Sequence, residues 1–158
     1  MEMLQGDLLF RDLRQGDEEL VNEFFDAMGA ETRALFNRQD CNRNGALRYC
    51  REQDRAHQYW VACLDEKIAG YVFFMEWNTG VPCLGIAVRD DIKGRGLGGK
   101  LMDFAIAEAK KAGKGGIRLT TQFANLRGQV LYESRGFRRM GQYINGIEIF
   151  YLLPFETE

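Results

Sequence analysis

The chain has 158 residues, the size of a single domain with a sizeable core, so we expect one domain over residues 1–158. Hydrophobic residues make up 46% of it, but no apolar run could span a bilayer and no signal pattern opens it, which excludes a membrane protein and favours the cytoplasm. A net charge of −2, without a basic stripe interleaved with aromatic residues, argues against nucleic acid as a partner.

In the N-terminal half, alternating apolar residues predict strands, and apolar residues three or four apart predict helices. The pattern gives a strand at 8–13, helices at 18–28 and 47–59 with a less regular helical region at 31–36, and strands at 60–64 and 68–75. Asp17 stands where a cap of the first helix is expected. The turn at 65–67 makes the two later strands a hairpin.

The C-terminal half predicts helices alternating with strands and a final hairpin. The elements are strands at 83–88 and 117–123, helices at 97–112 and 125–135, and strands at 137–144 and 147–153. Gly136 ends the second helix, and Asn145-Gly146 is a strong hairpin signal. The order β-α-α-β-β-β-α-β-α-β-β predicts a mixed sheet flanked by helices, of the α+β or α/β type.

Glycines concentrate at residues 93–99, between the strand that ends at Val88 and the helix that begins at Leu97. Glycine lets the backbone approach a ligand closely, and a helix N-terminus offers unpaired N–H groups and a positive dipole end. Residues 93–118 carry seven basic side chains against two acidic ones, which suits a phosphate-rich ligand. The segment therefore predicts a diphosphate cradle, with a plain glycine-rich turn as the alternative.

Two motif matches point to other functions. Residues 94–99 satisfy GxGxxG, but the segment 120–122 offers two threonines and a glutamine where a dinucleotide site has a ribose-binding acid. Residues 40–45 resemble the start of a calcium loop, whose twelfth position is here Arg51 instead of the required glutamate. The four cysteines form no CxxC pair and His57 is the one histidine, so we expect reduced thiols and no metal.

Two segments carry a family resemblance. A strand followed by Lys93-Gly94-Arg95-Gly96-Leu97-Gly98 matches (Arg/Gln)-x-x-Gly-x-(Gly/Ala), with lysine at the first position. The second segment, Asn125 followed by Leu131-Tyr132-Glu133-Ser134-Arg135-Gly136-Phe137, matches Asn…Tyr-x-x-x-Gly-Phe. In both, and over nearly its whole length, the chain resembles the GNAT family, the Gcn5-related N-acetyltransferases. This resemblance implies a central mixed, mostly antiparallel sheet.

The resemblance implies acetyl-CoA as the donor of an acetyl group and a primary amine as its acceptor. It implies that backbone groups of one strand bind the pantetheine arm, that the glycine loop binds the pyrophosphate, and that Asn125 touches the pantetheine region. The cofactor-binding residues that it gives are Ile86, Ala87, Val88, Lys93, Gly94, Arg95, Gly96, Leu97, Gly98, Gly99 and Asn125. Tyr132 is the implied general acid, since a phenol of pKa near 10 can protonate a thiolate whose thiol has a pKa near 8.5.

The general base and the nucleophile are predicted from the residues alone. Glu76, at the end of the strand beside 83–88, is the predicted base, acting directly or through water, with a solvent-facing strand terminus as the alternative. His57 titrates in a suitable range, but the pattern places it in a polar helical stretch. Cys83 has no histidine partner in the pattern, so we expect direct transfer without a covalent intermediate.

The acceptor is not specified by the sequence. Nine acidic residues against two arginines in residues 1–31 favour a cationic small-molecule or peptide amine. A catalytically silent acyl-CoA-binding or sensing module and a dinucleotide-dependent oxidoreductase are the alternative functions. The resemblance also allows a homodimer through the C-terminal hairpin, for which an exposed edge strand is the support in the sequence.

Overall fold

The computed structural model describes residues 2–5, 7–35, 42–92 and 94–156. In this part of the chain eight strands form one mixed sheet in the order β1-β2-β3-β4-β5-β6-β8-β7. The strands are β1 (Glu2–Gln5), β2 (Leu8–Asp12), β3 (His57–Leu64), β4 (Lys67–Met75), β5 (Cys83–Val88), β6 (Gly116–Gln122), β7 (Arg138–Gln142) and β8 (Glu148–Pro154). Only β5 and β6 are parallel among these paired neighbours. The predicted fold class, a mixed and mostly antiparallel sheet flanked by helices, is confirmed.

Helices cover both faces of the sheet. They are α1 (Glu18–Asp26), α2 (Ala30–Ala34), α3 (Arg43–Glu52), α4 (Leu97–Lys111) and α5 (Leu126–Ser134). Helices α4 and α5 bury their apolar side chains in one core, and α1 and α3 bury theirs in a second core on the opposite face. Because side chains alternate along a strand, the central strands supply both cores: Trp60 and Val72 enter the first, Val61 and Tyr71 the second.

Three N-terminal details differ from the sequence prediction. The strand β1, which the pattern did not predict, pairs with β2. The predicted helix at 47–59 instead begins at Arg43 and ends at Glu52, and His57 is the first residue of β3, where it extends a long pairing with β4. Asp17 precedes α1 as expected, but its carboxylate pairs with Arg11 at 2.7 Å and makes no cap hydrogen bond. The buried guanidinium therefore takes the carboxylate that would otherwise cap the helix.

Candidate functional site

The parallel strands β5 and β6 separate soon after they begin. Within these two fully described strands the one register pair is Cys83 with Arg118, and the Arg118 amide donates to Pro82 at 3.1 Å. By contrast, β4 follows β5 along its whole length, and β8 follows β6 along its whole length. The sheet is therefore split at its middle, and a cavity of about 570 Å³ occupies the split.

The split leaves hydrogen-bonding groups of β5 without a strand partner. The carbonyl of Pro82 faces β6, and backbone groups alternate in direction along a strand, so those of Ile86 and Val88 also face the split. Ala87, between them, is in register with Tyr71 of β4, so its amide faces that strand. Of the three strand residues that the resemblance gave, Ile86 and Val88 have backbone groups free to pair with an extended ligand, whereas Ala87 contributes to the lining alone.

The glycine loop closes one end of the cavity. Gly94 has φ +86° and Gly96, the residue that precedes α4, has φ +81°, a region that side chains with a Cβ adopt only under strain. No side chain caps α4, and the first backbone bond into the helix runs from Lys100 to Gly96 at 3.2 Å. The amides of residues 97–99 thus remain open at a positive helix end that lines the cavity.

These features fit the diphosphate of a CoA-type ligand. Arg127 lies beside the loop, with a guanidinium nitrogen 3.3 Å from the point where a Cβ on Gly94 would sit. Arg127 has no acidic partner among the residues that the structure describes, and it lines the cavity. Arg95 is exposed on the same loop, while Lys93, also given by the resemblance, lies outside the described residues. Open amides and a free guanidinium are the groups that hold a phosphate.

Asn125 places α5 against the split. Its side-chain oxygen accepts from the Gly128 amide at 3.1 Å, which caps the helix, and its Nδ2 donates to Thr121 of β6 at 2.9 Å. Gly128 has no side chain because the Asn125 amide group occupies the space that a Cβ would fill. Asn125 therefore lines the cavity while its side chain joins a helix to a strand.

Tyr132 lies in the same cavity and is held by the end of α5. Gly136, with φ +91°, ends the helix: its amide donates to Glu133, and that of Phe137 donates to Tyr132, both at 3.1 Å. The ring packs against Phe137 and Tyr151, with centroids 6.0 and 5.9 Å apart. Burial raises the pKa of Tyr132 to about 12, and its hydroxyl has no hydrogen-bond partner in the described part of the chain. The phenol is protonated at neutral pH and available to a ligand.

The opposite face of the sheet contributes a carboxylate that the sequence analysis missed. Thr120 and Glu148 alternate with core residues of β6 and β8, so they point toward the side of α1 and α3. Glu148 is 8% exposed, lines the cavity, and accepts from Thr120 at 3.1 Å and from Asn145 at 2.6 Å. The sequence did contain a signal for it, because Glu148 is the one charged residue in the otherwise apolar strand segment 147–153.

The cavity wall on the side of α1 and α3 includes several apolar side chains and is held by a contact across the fold. Phe73, Met75 and Leu35 line it, and the ring of Phe73 covers Gly85 so closely that no Cβ would fit. Leu35 directly follows the last residue of α2. Hydrogen bonds from the loop after β5 hold this helix in place. There, the carboxylate of Asp90 accepts from the Gly29 amide and the Thr32 hydroxyl, both at 2.5 Å. The cavity thus runs through the sheet, from a cationic end to an acidic end.

Other predicted site residues lie apart from the cavity or lack the expected chemistry. Glu76 is exposed, forms an ion pair with Arg118, and is not among the lining residues. His57, the first residue of β3, forms a hydrogen bond with Asp54 at 2.9 Å and is not among the lining residues. Cys83 does line the cavity, but burial raises the pKa of its thiol, so the thiolate needed of a nucleophile is disfavoured.

The described residues contain no group of three or more histidine, cysteine, aspartate or glutamate side chains that could hold a metal ion. Within the same ranges, no helix combines the length and the apolar character that crossing a bilayer requires. Of the residues that resemble the start of a calcium loop, Asp40 and Cys41 lie outside the described residues, and Arg43 already belongs to α3.

Comparison with known proteins gives one family and many similar folds. The model of the acetyltransferase (GNAT) family matches residues 18–137. No curated protein matches the sequence significantly.

Solved structures share the fold at low sequence identity. The ribosomal-protein-S5-alanine acetyltransferase of Vibrio fischeri superposes with a TM-score of 0.80 at 16% identity, over 98% of this chain and 96% of that one. YncA, a putative acetyltransferase of Salmonella typhimurium solved with acetyl-CoA, superposes with a TM-score of 0.78 at 22% identity. The match covers 97% of this chain and 96% of that one. The PaiA N-acetyltransferase of Thermoplasma acidophilum, in complex with coenzyme A, superposes with a TM-score of 0.79 at 18% identity. The match covers 94% of this chain and 99% of that one.

Proposed function

The chain belongs to the acetyltransferase (GNAT) family, and from that premise we propose that it transfers the acetyl group of acetyl-CoA to a primary amine. One observation carries the proposal: the glycine loop and Tyr132 open into one cavity at the split of the sheet. The similar folds of YncA and PaiA were solved with acetyl-CoA and coenzyme A, which supports the choice of donor.

The donor site is assembled from three parts of the cavity. Open amides at the start of α4, together with Arg127, hold the pyrophosphate. Backbone groups of Ile86 and Val88 pair with the amides of the pantetheine arm, as a strand would. Acetyl-CoA supplies a thioester carbonyl that is reactive toward amines. A backbone N–H at the edge of β5 stabilises the negative charge that develops on the carbonyl oxygen.

Tyr132 acts as the general acid. Its phenol is protonated, buried and free of other hydrogen bonds among the described residues, so it can give its proton to the departing thiolate. Direct transfer is the simpler route, because burial raises the pKa of the Cys83 thiol in the cavity lining. Two observations weigh against Glu76, the base predicted from the sequence: its ion pair with Arg118 and its place outside the residues that line the cavity.

The acceptor is proposed to be a small-molecule or peptide amine. The folds similar to this chain include acetyltransferases of ribosomal-protein S5 and S18 alanine, from Vibrio fischeri and Escherichia coli, which supports a peptide amine. A homodimer through the C-terminal hairpin stays a prediction; β7 is the outer strand at that edge of the sheet, and its five residues are exposed.

Turnover of acetyl-CoA with a panel of amines and peptides, read as acetylated product by mass spectrometry, tests the function. We expect Tyr132→Phe to lower kcat by about 100-fold, because general acid catalysis contributes at least that much. Tyr151→Phe is the matched control: its ring touches that of Tyr132, but its hydroxyl donates to Glu133 on the outside of α5, so kcat should stay within about twofold.

Two results contradict the proposal. Calorimetry that shows acetyl-CoA binding, beside a panel in which no amine is acetylated, favours a silent acyl-CoA-binding module. Absence of acetyl-CoA binding to the parent protein contradicts the donor site itself.

A further inference from the structure

We propose, on the basis of the transfer function above, that Glu148 is the catalytic base: it binds the acceptor as an ammonium ion and takes its proton. The proposal also fixes the acceptor class, an amine that enters as a cation and has no carboxylate next to its nitrogen. Glu148 is contributed by β8, outside both segments that carry the family resemblance.

The carboxylate is buried without a cation to balance it. Glu148 is 8% exposed, and no lysine or arginine of the described chain forms an ion pair with it. Its two oxygens each accept one neutral hydrogen bond, from Thr120 and from Asn145. A buried charge is costly unless a counter-charge or further hydrogen bonds compensate it, so an ammonium ion would complete this site.

The charges that line the cavity are separated. In the described lining, the only charged side chains are Arg127 at the glycine loop and Glu148 on the opposite face of the sheet. The positive charge of Arg127 suits the anionic half of the donor, and the negative charge of Glu148 suits a cationic acceptor. Arg118 and Glu76, which act electrostatically on Cys83 together with Glu148, are paired with each other.

The neighbourhood of Glu148 selects against a second carboxylate. On this side Leu35, Phe73 and Met75 present apolar side chains, and the described lining residues here include no basic group that could receive an anion. The α-carboxylate of a free amino acid would meet both the apolar wall and the charge of Glu148. An amine whose neighbouring group is apolar or a neutral amide, as at a peptide N-terminus, avoids both costs.

The proton and electron balance of the step is complete within the cavity. The ammonium gives one proton to a Glu148 oxygen, and the nitrogen lone pair forms a bond to the acetyl carbon while the C–S bond breaks. The sulfur leaves with that electron pair and takes the phenolic proton of Tyr132. The second proton on the nitrogen returns to the Tyr132 oxygen, and Glu148 releases its proton to solvent. No further reactant is needed.

Steady-state kinetics with leucinamide and with leucine, a pair that differs in the carboxylate, tests the class and the base together. We expect leucinamide to be acetylated with a kcat/KM at least about tenfold above that of leucine. We expect Glu148→Gln, which keeps hydrogen-bonding ability, to lower kcat by about 100-fold while the KM for acetyl-CoA stays unchanged. Glu76→Gln tests the competing carboxylate and should keep most of the activity.

Raising the pH separates a base from a structural residue. An α-amino group has a pKa near 7.7–8.0, so above about pH 9 leucinamide is mostly neutral and needs no base. The difference in kcat between the parent and Glu148→Gln should therefore shrink as the pH rises. If the variant were less active because of a folding defect, the difference would stay the same at every pH. Thr120→Val removes one hydrogen bond to the Glu148 carboxylate but leaves its charge. This variant should lose far less kcat than Glu148→Gln does.

Binding distinguishes failure of this proposal from failure of the proposed function. Acetyl-CoA affinity, measured by calorimetry, should be the same for the parent and for Glu148→Gln. Leucinamide binding to the complex with coenzyme A should weaken at least about tenfold in the variant. Equal leucinamide binding, a constant deficit at every pH, or loss of activity in Glu76→Gln alone would overturn the role of Glu148 while leaving acetyl transfer in place.

Discussion

At the scale of single residues, burial decides the chemistry of Tyr132. A phenol in water has a pKa near 10, but burial raises the pKa of Tyr132 to about 12, so the proton stays on through the alkaline range. In the proposed mechanism, the protonated form of Tyr132, which predominates below its pKa, is the form that donates the proton. We therefore expect kcat, at saturating amine, to stay level from about pH 8 to about pH 10.5. A fall in kcat near pH 10 that is absent from Tyr132→Phe would contradict the buried phenol as the general acid.

At the scale of elements, the start of α4 is the predicted phosphate site. Gly96→Asp places a carboxylate at that helix end, and we expect the Kd for acetyl-CoA, measured by calorimetry, to rise at least about tenfold. Gly113→Asp is the matched control at the other end of α4. Both glycines have positive φ, +81° and +79°, with open space around a Cβ, so the backbone strain is similar. Equal affinity in the two variants would contradict the cradle.

At the scale of the whole molecule, two cores share one sheet. Strands β3 and β4 send alternate side chains into each core, so neither core can lose its packing without exposing the other. We expect one cooperative transition in urea. Fluorescence of Trp60 and Trp77, which pack on the α4 and α5 side, should give the same midpoint as far-ultraviolet circular dichroism, which reports all helices. Separate midpoints would contradict the single domain predicted for residues 1–158.

Local chemistry along the sequence determined the structure of the segments that we propose hold the donor. Gly94, Gly96 and Gly136 adopt positive φ because the turns at those positions require it, and Asn125 caps α5 through a bond only three residues away. These contacts close within about one helical turn, so the turns and the helix cap followed from the order of residues, whereas the place of Tyr132 in the site came from the family resemblance. The family resemblance rested on the same segments.

Tertiary structure decided the acidic end of the cavity, because those contacts join distant segments. Glu76 looked free in the sequence, yet it pairs with Arg118, 42 residues away. Asp17, Glu23 and Asp26, which favoured a cationic acceptor, are held by arginines instead. The carboxylate that does line the cavity is Glu148, brought to Thr120 by the pairing of β8 with β6. Strand pairing sets which side chains share a face, and no local pattern contains that information.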